Sequence, residues 1–170
     1  MVTGFSLGSA LAVFGALDLK QIFNHVDEFY SFGQPRVGNE LFANYFTQQI
    51  SSHFRVIHYA DIVPHLPPQT PLPYSHFAYE IWYDENMRSY KTCGAEEFTC
   101  SKSLLPYKWS TSDHDIAAYV MIAVWGFDWW MKFFISFMCK FSFLNVKFKK
   151  INVERKIWFF FKYLQSFLQK

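Results

Sequence analysis

A chain of 170 residues has room for one domain. Its net charge of +2 joins two unlike parts: residues 131–170 hold nine Lys and Arg against one acid, Glu154, whereas residues 1–130 hold seven against thirteen acids. The three cysteines form no Cys-x-x-Cys pair, which excludes a zinc site of that kind, and no metal or other cofactor is expected.

The N-terminal residues read Met-Val-Thr-Gly-Phe-Ser-Leu-Gly-Ser-Ala-Leu-Ala, a Gly-x-Ser-x-Gly turn between a strand and a helix. Gly4 and Gly8 stand two residues either side of Ser6, where side chains would collide if the chain turned sharply. Residues 9–17 are almost wholly apolar, as expected of a helix buried under a sheet. Such a turn lifts the Ser6 hydroxyl clear of the backbone and aims the amide of Leu7, at the helix N-terminus, toward a developing oxyanion. The five letters alone arise by chance in roughly one chain in twenty of this length. The strand before them and the apolar helix after them make the pattern specific.

Residues 28–32 and 54–59 have the β-branched and aromatic content of strands and are expected to lie parallel and adjacent. Between them, residues 39–50 place Leu41, Phe42, Tyr45, Phe46 and Ile50 on one helical face, with Asn39 as N-cap. The second strand runs into Ala60-Asp61-Ile62-Val63-Pro64, so Asp61 falls at a strand's carboxyl end, where functional groups collect. Alone, Asp61 reads better as a turn cap before Pro64; paired with Ser6, the catalytic reading is favoured. A proline-rich loop over 69–73 leads to an alternating segment, 76–83, expected to pair with 88–92.

A serine nucleophile needs a base, and after an elbow serine the expected order is acid, then histidine. Six histidines compete. His58 lies inside a strand; His25 and His53 near helix ends read as solvated; His65, before Leu66-Pro67-Pro68, reads as holding a rigid loop; His76 opens the alternating segment. His114 follows Ser110-Thr111-Ser112-Asp113 and precedes an apolar helix, late in the chain, where the base belongs.

Four motifs in order carry a family resemblance: Gly4-Phe5-Ser6-Leu7-Gly8, the stretch from Tyr30 through Gly33-Gln34-Pro35-Arg36 to Asn39, the stretch from His58 through Asp61 to Pro68, and Asp113-His114. Over residues 2–120 the chain resembles the catalytic half of the class 3 (fungal-type) triacylglycerol lipases. The resemblance implies a partial α/β-hydrolase: a mostly parallel sheet flanked by helices, with the N-terminal strands, lid and second oxyanion donor belonging upstream. It implies Ser6 as nucleophile, Asp61 as acid, His114 as base and the Leu7 amide as one oxyanion donor, cleaving a lipid ester at a lipid–water interface through an acyl-enzyme. Two residues depart from the family pattern: Phe5 stands where His is usual, and Ser9 where Gly is usual, with some packing strain expected at Ser9.

Cys93 and Cys100 bracket a short loop and are either a disulfide or two reduced thiols. Similar lipases carry a disulfide in that region, which implies a secreted or luminal protein. The chain divides into a lipase-like domain, 1–124, and a basic-aromatic tail, 125–170, expected to be helical or disordered. Residues 131–170 hold ten Phe and neither Gly nor Pro. Residues 116–144 are apolar over about the length of a bilayer span, but Asp128, Lys132 and Lys140 interrupt them. Three readings of the tail stand: an interfacial membrane-contacting helix, a nucleic-acid contact for which no motif is recognised, or sequence foreign to the protein, such as intron read-through, which is preferred. No nucleic-acid partner is expected. Two functions follow: a serine hydrolase of lipid esters, or a non-catalytic lipase remnant.

Overall fold

The computed structural model describes residues 1–126. The expectations for the tail therefore lie outside the described residues, apart from its first two positions. Strand β1 (Val2–Phe5) turns at Ser6 into helix α1 (Leu7–Phe23). There follow β2 (Phe29–Phe32), β3 (Gly38–Asn39), α2 (Glu40–Gln49), β4 (His53–His58), β5 (Tyr74–Ser75), β6 (Glu80–Tyr83), β7 (Tyr90–Cys93) and α3 (Ile116–Met121). The main sheet runs β1-β2-β4-β6-β7, parallel except for β7, and β3 pairs with β5 in a small antiparallel ribbon. A mostly parallel sheet flanked by helices is thus present, with β2 and β4 adjacent as expected.

The strands alternate their side chains between two cores. On one face, Val13 and Ala16 of α1 and Ala43 and Phe46 of α2 pack with Phe29, Ile50 and Phe77. On the other, Val56, Tyr83, Tyr119 and Ile122 gather with the partly buried Phe5 and Phe32. Phe29 and Phe32 belong to opposite cores because an odd spacing along a strand reverses direction. The register Phe5↔Phe32↔Val56 brings three strand ends level, setting the end of β1 beside the loops that follow β2 and β4.

Several local expectations change. Helix α1 is buried along one stripe only, Ser9, Ala10, Val13 and Ala16, while Leu7, Leu11, Phe14, Ile22 and Phe23 are exposed. In α2 the inward side is Phe42, Ala43 and Phe46, and Leu41 and Tyr45 face outward. The apolar arc of that helix is wider than the face it packs, and the sheet selects one flank. Asn39 caps α2 as expected, its Oδ1 accepting the Phe42 N–H at 3.0 Å. His53 is buried, edge-on to Phe46 and Phe77, because it opens β4 rather than closing the helix; His25, by contrast, is exposed and paired with Asp27. The segment 76–83 becomes strand only from Glu80. Before that, His76 hydrogen-bonds the Pro64 carbonyl and the Phe77 carbonyl accepts Arg55 Nε. Among the described residues no helix is long and apolar enough to cross a membrane.

Gly4 is where this packing is tightest. A Cβ there would stand 2.5 Å from the Gly8 carbonyl oxygen and 2.7 Å from Ser9 N, both backbone atoms that cannot swing away. Gly4→Ala is expected to destabilise the protein by about 1–3 kcal/mol or more, read as a lowered melting temperature.

Candidate active site

The sharp reversal from β1 to α1 puts Ser6 at φ 55°, ψ −131°, a conformation strained for a residue with a side chain. Two hydrogen bonds hold it there: Ser6 N–H to the Phe32 carbonyl, and Ser9 N–H to the Ser6 carbonyl, each 2.9 Å. Ser9 is buried without an empty partner. Its hydroxyl donates to the Gly4 carbonyl at 2.7 Å and accepts the Phe32 N–H at 3.3 Å, tying the first turn of α1 to the ends of β1 and β2. Hydrogen bonding stands where packing strain was expected. Leu7 opens α1, so its amide belongs to the first turn, whose N–H groups lack intrahelical acceptors.

Asp61 follows β4 and has no solvent exposure. Its Oδ1 accepts the Val63 N–H at 2.8 Å. Its Oδ2 accepts two donors, Nδ1 of His114 at 2.8 Å and the Tyr119 hydroxyl at 2.5 Å. A carboxylate only accepts, so His114 carries its proton on Nδ1 and leaves Nε2 as acceptor. Nε2 lies 2.7 Å from Ser6 Oγ, which donates to it. Ser6, His114 and Asp61, separated by more than fifty residues in sequence, are thus joined in one line of hydrogen bonds.

Backbone contacts deliver His114 to this place. The Ser110 N–H reaches the Ala60 carbonyl and the Ile62 N–H reaches the Ser110 carbonyl, stitching the loop before His114 to the loop bearing Asp61. Phe5 stacks on the His114 ring, centroids 4.8 Å apart and planes 19° apart. Gly33, at φ 56°, closes the other side; a Cβ there would stand 2.9 Å from both Asp61 Oδ2 and His114 Cε1. Tyr119 is a residue to which sequence reasoning gave no role. Its hydroxyl also accepts the His58 N–H at 3.1 Å, and burial, then the Asp61 charge, push its pKa well above the ordinary value. Its only sequence signal is one hydroxyl within an apolar helix.

Arg36, Arg55, His65, His76, Glu80 and Glu96 form a largely buried polar layer. Arg55 pairs with Glu80 at 3.3 Å, and Arg36 with Glu96 at 2.6 Å. His65 stacks flat on Trp109 at 4.2 Å; burial, then the Arg36 charge, bring its pKa down to about 4. Burial, then the Arg55 charge, hold His76 well below its ordinary value. Burial alone would raise Glu96, but hydrogen bonds from Arg36 and the neighbouring charges outweigh it and hold the carboxyl at about 2. Cys93 and Cys100 form a disulfide, resolving the alternative left by their spacing. Among the described residues no group of three or more His, Cys, Asp or Glu is arranged to hold a metal ion.

Known proteins share this arrangement of sequence. The profile of a family described as lipase (class 3) matches residues 1–70. The chain is 38% identical over 120 residues to a lipase of Rhizomucor miehei, covering 66% of this chain and 32% of that protein. Over this stretch the chain is similar to the class 3 lipases. A secreted mono- and diacylglycerol lipase of Fusarium solani is 45% identical over 84 residues, 49% of this chain and 25% of the relative. Among solved structures, a triacylglycerol lipase whose catalytic centre is described as a serine-protease triad superposes with a TM-score of 0.59 at 38% identity, covering 66% of this chain and 44% of that one. The fold is accordingly that of part of an α/β-hydrolase, and the chain spans a quarter to a third of the length of these curated relatives.

Two expectations follow. Tyr119→Phe leaves Asp61 short of a donor and the His58 N–H without its acceptor, and should cost about 1–3 kcal/mol in urea unfolding. Acid should weaken the fold in two stages. Between pH ~6.5 and ~4 the unfolded chain takes up protons that buried His65 and His76 refuse, so stability falls as pH drops through that window. From ~4.5 down to ~2 the Glu96 carboxylate adds a second loss of the same sign. Melting temperature against pH reads both.

Proposed function

We propose that this chain carries a serine hydrolase centre for lipid carboxylic esters, with Ser6 as nucleophile, His114 as base and Asp61 as the residue that orients and charges against it. The observation that carries this reading is the continuous line from Ser6 Oγ to His114 Nε2 and from Nδ1 to Asp61. Ser6 attacks the ester carbonyl while His114 takes its proton at Nε2. The imidazolium that forms lies against the Asp61 carboxylate, which keeps its charge. The Leu7 amide, in the first turn of α1, receives the oxyanion in this reading. His114 then gives its proton to the departing alcohol, and a water, deprotonated by the same nitrogen, releases the acid from Ser6.

Lipid esters are favoured as substrates because the relatives are acylglycerol lipases by description, acting on mono-, di- or triacylglycerols. A secreted or luminal setting is supported by the Cys93–Cys100 disulfide and by the secreted relative. Residues 1–124 constitute the hydrolase domain in this reading. Residues 125–170 form a separate stretch whose basic and phenylalanine-rich composition suits contact with a lipid surface.

A fluorophosphonate probe, which reacts with an activated serine, tests the assignment on the 170-residue chain. Covalent labelling is expected on Ser6 and is abolished by Ser6→Ala. Asp61→Asn, which favours the wrong His114 tautomer, should slow it on the order of 10⁴-fold. A folded chain that takes no label at Ser6 is instead a non-catalytic relative of these lipases.

A further inference from the structure

Arg36 binds three consecutive carbonyls of one loop. Its backbone N–H donates to Leu66 O at 2.8 Å, and its Nη1 donates to His65 O at 2.6 Å and Pro67 O at 2.9 Å. That loop begins at the turn whose Val63 N–H fixes Asp61 Oδ1, and the His65 N–H closes the turn on Ile62 O at 2.9 Å. Arg36 also lies three residues after Gly33, which abuts Asp61 and His114. Arg36 therefore ties the segment that carries Gly33 to the loop that follows Asp61.

The guanidinium is itself held by Glu96. Nε meets Oε1 at 2.6 Å and Nη2 meets Oε2 at 2.9 Å, a two-pronged pair whose side chains are 5% and 13% exposed. Glu96 Oε1 also accepts the His76 N–H at 3.1 Å, and Lys102 stands 3.6 Å from Oε2. Glu96 sits at φ 50° in the loop that the Cys93–Cys100 disulfide closes, a backbone position set by the loop itself. It touches neither Ser6 nor His114, and the catalytic reading gives it no part.

We propose that Glu96 is a positioning residue for Asp61: delivered by the disulfide-closed loop, it fixes Arg36, and Arg36 fixes the loop that sets the Asp61 carboxylate against His114. This rests on the reading of Asp61 as the triad acid. Removing the Glu96 charge leaves Arg36 buried without its counter-ion, a far larger disturbance than losing an exposed pair. The loosened element is the 63–67 loop, and the consequence is a carboxylate free to turn away from Nδ1.

The test compares the 170-residue wild type with Glu96→Gln, Glu96→Asp and Val13→Ala, the last a core variant that destabilises the fold without removing any hydrogen-bond partner of Arg36 or Glu96. Amide exchange at Val63, measured by NMR well below each melting temperature, is expected to quicken about tenfold in Glu96→Gln, the scale of one charge-assisted hydrogen bond. It should be partly restored in Glu96→Asp and unchanged in Val13→Ala. The maximal fluorophosphonate labelling rate should fall by a similar factor in Glu96→Gln, with the half-saturating probe concentration unchanged. Exchange at Val63 no faster in Glu96→Gln than in Val13→Ala overturns the proposal, as does faster exchange with an unaltered labelling rate. Should Glu96→Gln fail to fold, Glu96→Asp carries the same comparison. A wild type that takes no label at Ser6 overturns the catalytic reading, and Val63 exchange then decides by itself whether Glu96 governs the Asp61 loop.

Discussion

A carboxylate sealed from solvent holds its charge only if donors replace the water it has lost, and Asp61 is such a group. Its donors come from three parts of the chain: Val63 from its own loop, His114 from the loop before α3, and Tyr119 from α3 itself. Each donor therefore places an element. The turn after β4 has to fold back so that Val63 meets Oδ1. The helix α3 has to pack against the sheet so that Tyr119 reaches both Oδ2 and the His58 N–H. His114, two residues before that helix begins, then has little freedom left.

The other half of the arrangement is made by backbone alone. The elbow at Ser6 exists because α1 passes so close to β1 that only hydrogen fits at Gly4, and because Ser9 bridges the two with its hydroxyl. The sheet register fixes the height of this elbow against the loops carrying Gly33 and Asp61. No side chain of the site is long enough to bridge a misregister of one residue, a shift of about 3.3 Å. Strand pairing and site geometry are for that reason one constraint.

What sequence made legible was whatever is written in local spacing and order. The glycines around Ser6, the Asn39 cap, the adjacency of β2 and β4, and the order serine, aspartate, histidine all have short-range or ordinal signatures. The three side chains singled out by that order are the ones the structure brings within hydrogen-bonding distance of one another. Contacts without such signatures stayed hidden. Tyr119 meets Asp61 across 58 residues and Glu96 meets Arg36 across 60, and neither pairing has a periodicity to reveal it. The inward turn of His53 and the outward turn of Leu41 were equally hidden. Residue type and helical phase narrow a position to an arc, and only the neighbouring sheet decides which side of the arc is covered.

The imidazole of His114 shows how these constraints combine. Asp61 takes its Nδ1, the Phe5 ring covers one face and the Gly33 backbone crowds its Cε1 edge. His58, held between the carbonyls of Glu85 and Asp113, braces the residue just before it. With those approaches occupied, Nε2 is left pointing at Ser6. Phe5 adds a distinction of its own. A hydrocarbon ring in that place stacks on the His114 ring without carrying any charge. One carboxylate, one aromatic face and one backbone edge together set the orientation of the ring. Preorganisation of that kind, built from segments that each serve the fold, is what the role proposed for Ser6 requires, because a serine hydroxyl is by itself a weak nucleophile.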